Sequence, residues 1–427
     1  MSRIPRMPMP VRVYLVICLV LCSICPHILY ASEIIVIPEV ELRTTYDDNL
    51  FFDDVSDFEL LATPRLTYRT MWPTAHVQLT AEADVYQYVE ENQYDRVNQN
   101  YGLDARKDLS PTLSSSFQGH FAVDHTFENE LEETGIETDK NRRFLMSARP
   151  SLTWDIGPRH SLRMSLGWNR VDYRQSSSVD NPDYDRFGLS ATLFREWTQR
   201  LSLVGQVDVS LTTIEDQISK ATDFSGNTFD LGRKDHMQYS YQALVGAEYE
   251  LAQTLDLSFR GGAGLTRIEY TEAALQFSGP LELEPQTKDV SEDSFVFLFS
   301  TSLDWEQELY RIGLQGSRNI TQSPDGDTIN RTRFQLNAEY DLTENLVLLG
   351  RGSFVYSRSV DGDDDEFDSE VNSQSYAVSP GLRYVFSPKL SLAGRYEFRV
   401  IEDRDDDDRE KRHRAWLELT YRWPMVF

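Results

Sequence analysis

Cysteine is nearly missing from this chain: its three copies, Cys18, Cys22 and Cys25, all lie near the N-terminus. Beyond Cys25 there can be no disulfide, no thiolate metal site and no cysteine nucleophile. Long apolar runs are missing too. After the first thirty-odd residues, none reaches the about 18 that a membrane helix needs. Positive charge is the scarcer sign, with 42 Lys and Arg against 69 Asp and Glu and a formal net charge of −27. That field repels nucleic acid and sets it aside as a partner. No His-x-x-x-His pair, Gly-rich phosphate loop or Gly-x-Ser-x-Gly elbow occurs, so no metal, cofactor or enzymatic role is expected. A barrel hydrolase is the distant alternative. Ser114, Ser116 and His120 are spaced along one strand face, and that spacing does not assemble a triad.

At the N-terminus, Arg3, Arg6 and Arg12 precede the apolar run Val13 to Cys25, and Leu29-Tyr30-Ala31 offers a cleavage site. Residues 1–31 therefore read as a secretory signal peptide, with an anchor helix as the alternative, and residues 32–427 as one mature barrel domain. Removing the three arginines moves the formal charge from −27 to about −30. An exported chain without a membrane helix can span a bilayer only as a closed barrel, because every backbone group must find a partner within the protein.

Strict alternation is what the chain does have. From Arg414 to Phe427, every second residue from Ala415 onward is apolar: Leu417, Leu419, Tyr421, Trp423, Met425 and Phe427. Successive side chains of a strand point to opposite faces, so this segment has one greasy and one wet side. Ala75 to Tyr86 repeats the pattern, and so do Leu113–Val123, Phe144–Trp154, Leu201–Leu211, Tyr239–Leu251, Phe295–Trp305, Thr332–Leu342 and Tyr376–Phe386. The first strand is expected near Glu39–Asp47, with Val40, Leu42, Thr44 and Tyr46 outward.

The gaps alternate between short and long. Leu109-Ser-Pro-Thr-Leu113, Trp197 to Leu201, Leu251 to Leu255, Leu342 to Leu346 and Phe386-Ser-Pro-Lys-Leu390 share one tight-turn form. Trp72-Pro73-Thr74, Ile156-Gly157-Pro158 and Glu306-Gln307-Glu308 complete the set. The long gaps fall near 48–58, 87–98, 125–143, 174–185, 213–238, 267–293, 318–331, 358–373 and 400–413. Short periplasmic turns, long acidic outer loops and aromatics at strand ends predict an all-β fold, a transmembrane antiparallel up-and-down barrel of about 18 strands, with 16 the nearest alternative. A soluble sandwich or propeller gives no reason for the two loop classes to alternate.

With the apolar face toward lipid, the polar face encloses a lumen. Its predicted cations are Arg43, Arg65, Arg69, Arg106, Arg149, Arg163 and Arg260, followed by Arg311, Arg333, Arg351, Arg383, Arg395, Arg399 and Arg422. Its acids include Glu41, Glu82, Asp84, Asp208, Glu248, Glu339, Glu397 and Glu418. A bracing ion-pair network and a solute-selecting field are both open, with Arg395 and Glu397 expected against Arg383 or Glu418. Arginine suits carboxylates and phosphates, which points to anionic or sugar-acid solutes. The acid runs Glu128 to Glu137, Pro324 to Asp327 and Asp361 to Glu370 read as solvated loops, since they miss the full calcium-loop spacing.

Thr45-Tyr-Asp-Asp-Asn-Leu-Phe51, the Phe386 to Leu390 turn and the terminal Phe427 carry a resemblance. The chain resembles the β-barrel porins encoded beside bacterial exopolysaccharide synthesis and export genes. That resemblance implies an outer-membrane location in a Gram-negative bacterium and passage of small solutes or polysaccharide. It further implies contact with outer-membrane lipid and lipopolysaccharide, with exopolysaccharide export components, and with the barrel-assembly machinery through the strand ending at Phe427. A structural or adhesive surface barrel with a plugged lumen is the alternative.

Overall fold

A computed structural model describes residues 33–52, 54–126, 141–174, 182–215, 217–222, 228–277, 283–322, 328–359, 372–404 and 408–427. The signal-peptide reading of 1–31 and the acid runs at 128–137, 324–327 and 361–370 lie outside the described residues.

The strands are β1 (Glu33–Asp47), β2 (Asp57–Trp72), β3 (Ala75–Tyr88), β4 (Arg96–Ser110), β5 (Leu113–His125), β6 (Arg142–Gly157) and β7 (His160–Arg174). They continue as β8 (Tyr184–Glu196), β9 (Leu201–Ile214), β10 (Gln217–Thr222), β11 (Thr228–Ala252), β12 (Leu255–Phe277), β13 (Leu283–Glu306) and β14 (Tyr310–Gln322). Last come β15 (Thr328–Asp341), β16 (Leu346–Ser359), β17 (Asn372–Ser387), β18 (Leu390–Asp403), β19 (Asp408–Arg422) and β20 (Met425–Val426). Each ring strand pairs antiparallel with its neighbours, β9 pairs with β11, and β1 closes on β19, giving a closed ring of 18 strands. β10 extends the line of β9 against β11, and β20 extends β19 against β1. All the expected tight turns join neighbouring strands. Full closure leaves the ring no free edge.

Alternation separates the two faces. On β1, Val40, Leu42 and Tyr46 are 42%, 49% and 43% exposed, whereas Glu39, Thr45 and Asp47 between them are 7%, 5% and 2% exposed. The exposed apolar set therefore faces out, where hydrocarbon rather than water meets it. On β12 the outward set runs Leu255, Leu257, Phe259, Gly261, Ala263 and Leu265, about the length of strand that crosses hydrocarbon at a tilt. The next outward residue, Arg267, grips Asp293 at 2.7 and 2.8 Å. The pair ends the apolar outward belt on this strand.

Two expectations change. Residues 213–238 and 267–293 are largely ladder rather than loop, with pairs from Gln217↔Arg233 to Thr222↔Thr228 and on to Phe277↔Leu283. Above the belt neither face meets lipid, so the apolar alternation fades while the backbone pairing continues. The C-terminal strand is not continuous to Phe427. Pro424 donates no hydrogen bond, and pairing resumes at Val36↔Met425 and Ile35↔Val426 in unbroken register.

At one point on the wall two strands approach closely on bare glycine. A side chain at Gly246 would land on the carbonyl oxygen of Phe259, and one at Gly262 on that of Ala243.

Candidate functional site

The cross-strand register carries every predicted lumen residue onto the inner face. Glu39↔Arg65↔Glu82, Gln118↔Arg149, Arg163↔Thr192 and Glu248↔Ser258 are steps of this polar surface. So are Arg311↔Glu339, Asn337↔Arg351, Arg43↔Glu418 and Glu39↔Arg422.

Many of its charges are paired. Arg65 bonds Glu39 at 2.9 Å and also Glu82, and Arg422 reaches Glu39 at 2.5 Å. Arg43 meets Glu59 at 3.3 Å, and Arg260 meets Glu248 at 2.8 Å. Glu339 is shared by Arg311 and Arg383, each at 3.1 Å. Glu397 takes Arg414 at 2.6 Å and Arg399 at 3.4 Å. Among the described residues Arg106 pairs with Asp108 alone, at 3.6 Å. Arg69 donates to Gln78, Thr63 to Asp84, and Gln206 to Asp208.

The expected pairing of Arg395 and Glu397 with Arg383 or Glu418 is not what forms. Register sets Arg395 opposite Gly381 and Trp416, and Glu397 opposite Arg414. Among the described residues, Arg149, Arg163, Arg351 and Arg395 have no carboxylate within ion-pair distance. Arg163 lies instead over the Phe194 ring, 5.5 Å from its centre.

Charge is divided around the wall. The inner faces of β1–β3 carry Glu39, Glu41, Asp47, Glu59, Glu82 and Asp84 with Arg43, Arg65 and Arg69 among them. The inner faces of β6–β8, over residues 143–153, 163–173 and 184–194, carry Arg143, Arg149, Arg163 and Arg186. Those three stretches hold no inward carboxylate, and the neighbouring Asp124 is taken by Arg143 at 2.8 Å.

The Tyr46 to Phe51 motif forms a clasp on the long-loop end of the seam between β1 and β19. Tyr46 points out and packs on Phe58 at 5.0 Å. Asp47 binds Arg412, Asp48 accepts the His413 backbone N–H at 2.6 Å, and the Asn49 side chain donates to the Lys411 carbonyl at 3.0 Å. Leu50, Phe51 and Phe52 then turn inside the barrel, 1%, 6% and 6% exposed. Phe51 packs against Tyr94 and Tyr88, with Arg96 at 5.4 Å and Arg412 at 5.5 Å from its ring centre. Behind it, Arg96 donates to the Tyr88 hydroxyl and that hydroxyl to Glu59, each at 2.9 Å. Phe51 and Phe52 hold φ of 54° and 65°, a conformation that costs a non-glycine residue about 1–3 kcal/mol each. The Asp-Asp-Asn run was visible in the sequence; its partners on β19 were not.

The serines and histidine near one another in sequence do not form a catalytic set. Ser116 bonds Ser151 at 2.6 Å, and His120 bonds Asn100 at 2.9 Å.

Residues 29–192 match the protein-family model described as "Putative beta-barrel porin 2". No curated protein sequence matches the chain. Among solved structures, it is similar to the ferric-catecholate import receptor Fiu of E. coli K12, at 8% identity and TM-score 0.47, covering 90% of this chain and 81% of that one. It is also similar to OccAB3 of Acinetobacter baumannii, at 10% identity and TM-score 0.43, covering 92% and 100%. A further likeness is to the outer membrane protein opdK of Pseudomonas aeruginosa, at 10% identity and TM-score 0.43, covering 93% and 100%. With its closed ladder, apolar outer belt and porin-model match, the chain is a porin-like barrel of the bacterial outer membrane.

Proposed function

We propose that the barrel is a channel for small polar solutes, with a preference for anions such as sugar acids, and not an enzyme. The observation that carries this reading is the set of inner-wall arginines without acid partners among the described residues, Arg149 and Arg163 foremost, both exposed within the lumen. Arginine stays charged at any working pH and matches planar carboxylates and phosphates. A water-filled interior lined by one sign of charge selects by that sign, and a ring of this strand number is wide enough for an aqueous lumen. The paired charges of β1–β3 brace the wall, and Arg149 and Arg163 on β6 and β7 meet the solute.

Service in exopolysaccharide export is the finer form of this proposal. It rests on the Tyr46 to Phe51 segment and the Ser-Pro-x-Leu turns, and it brings export components as partners. Delivery by the barrel-assembly machinery through the C-terminal strand, and contact with lipopolysaccharide around the outer loops, belong to the same proposal. The test is reconstitution into planar bilayers. Steady single-channel steps, blocked by glucuronate more strongly than by glucose, are the expected result. Silence from heat-modifiable, folded protein would favour a surface barrel with a plugged lumen, a reading that draws on the inward turn of Phe51.

A further inference from the structure

A groove of about 710 Å³ crosses the outer wall on the tight-turn side, from β3 to β8. Two cross-strand rows form its floor. One runs Ala75↔Lys107↔Ser115↔Leu152↔Met164, and the other Val77↔Ala105↔Phe117↔Pro150. Both rows belong to the lipid-facing set, as the 40% exposure of Met164 and the 58% of Leu166 show. Small residues hollow out one end, and Pro150 interrupts the β6–β7 ladder at the other, where pairing skips from Ala148↔Trp168 to Ser151↔Ser165.

The wall of this groove is apolar apart from its cations and small hydroxyls. Trp72, Leu109, Phe117 and Leu166 line it together with Lys107, and no carboxylate does. Lys107 lies one outward row deeper than Leu109, on the hydrocarbon side of the turn. Among the described residues it has no ion-pair partner. An uncompensated lysine facing lipid is costly to a barrel, less so near the interface, unless it reaches an anion. Among the described residues no side chain fills the groove, whose face is turned toward hydrocarbon. The anion available beside hydrocarbon on this side of the membrane is the phosphate of a glycerophospholipid.

We infer that the groove is a binding site for one anionic glycerophospholipid, its acyl chain along the Ala75–Leu166 floor and its phosphate at Lys107. Trp72, at the turn, flanks the headgroup level as interfacial aromatics do. The site is on the outer wall and does not depend on what the lumen passes.

Native mass spectrometry of the full barrel, released from mild detergent after titration with phosphatidylglycerol or phosphatidylcholine, tests it. The wild type is expected to retain a single phosphatidylglycerol in preference to phosphatidylcholine, and Lys107→Gln to lower that retention about fivefold, the worth of one cation at an anionic lipid surface. Ala105→Phe, which fills the floor and keeps Lys107, is expected to release both lipids, so a misfolded Lys107→Gln leaves the inference open to refutation. Heat-modifiable gel mobility reports the fold of each variant. Equal retention of the two lipids by the wild type overturns the inference, as does unchanged phosphatidylglycerol retention in either folded variant. Disulfide cross-linking of Ser115→Cys barrels into dimers overturns it too, because a second copy would then occupy the groove.

Discussion

Arg412 and Asp47, 365 positions apart in sequence, meet side-on across the seam that closes the barrel. The Arg412 Nε donates to both carboxylate oxygens, at 3.0 and 2.8 Å, and Nη2 adds a further bond. The two side chains are 2% and 3% exposed. Stripping one charge from such a pair strands the other in a buried site, a loss of about 3–5 kcal/mol. Asp47→Ala is therefore expected to lower the urea midpoint of the vesicle-inserted barrel, followed by tryptophan fluorescence. The double variant Asp47→Leu/Arg412→Leu should regain most of the difference, because neither charge is then abandoned. A single variant as stable as the wild type would show that the seam is held by its backbone ladder alone.

Beside that pair, the Phe51 ring fills a niche between Tyr94, Arg96 and Arg412 on the inner wall. Phe51→Ala removes a buried ring, a loss of about 3–5 kcal/mol in a packed core. The smaller side chain keeps a left-handed backbone that still disfavours it. The expected outcome is a barrel that folds with reduced stability and conducts more current, since losing the ring opens its niche on the inner wall to the lumen. Single-channel conductance equal to that of the wild type would exclude this segment from the solute path.

Which face each strand turns outward was legible from the sequence because lipid and lumen impose a period of two, as Ala75 to Tyr86 displays. That period is a property of one strand alone. Pairing across strands is not, since it depends on a register that no single segment records. Hence Arg395 could be placed inside the barrel, yet its neighbours Gly381 and Trp416 could not be foreseen, nor could Lys411, Arg412 and His413 as partners of the clasp. The extended hairpin of β12 and β13 escaped for another reason. Beyond Arg267 the apolar residues leave the outward face, with Ile268 and Tyr270 buried on the inner one, so the alternation that marked the strand is lost.

Gly246 offers a test of the wall itself. Gly246→Val sets a branched side chain against the β12 backbone, with nothing flexible to yield. Most of this variant should fail to reach the heat-modifiable form after refolding into detergent micelles. Gly205→Val is the control: a side chain there meets nothing within 4 Å and would point to lipid. Comparable yields from the two would mean that β11 and β12 can separate without harm.

The division of charge around the lumen makes the last prediction one of sign. Arg149 and Arg163 lie in a sector without inward acids, whereas Glu41 sits in the acid-rich one, facing Thr420 and Thr63. Neutralising the arginines as Arg149→Gln/Arg163→Gln removes fixed positive charge from the path, so the reversal potential in a KCl gradient should move toward cation preference. Glu41→Gln should move it the other way. Each shift is expected to be about twofold in permeability ratio near 0.1 M salt, where the screening length is about 10 Å, and to shrink near 1 M, where it is about 3 Å. Shifts of the same sign from both changes, or none from either, would mean that permeating ions do not pass these sectors. The arginines would then serve the wall rather than the solute.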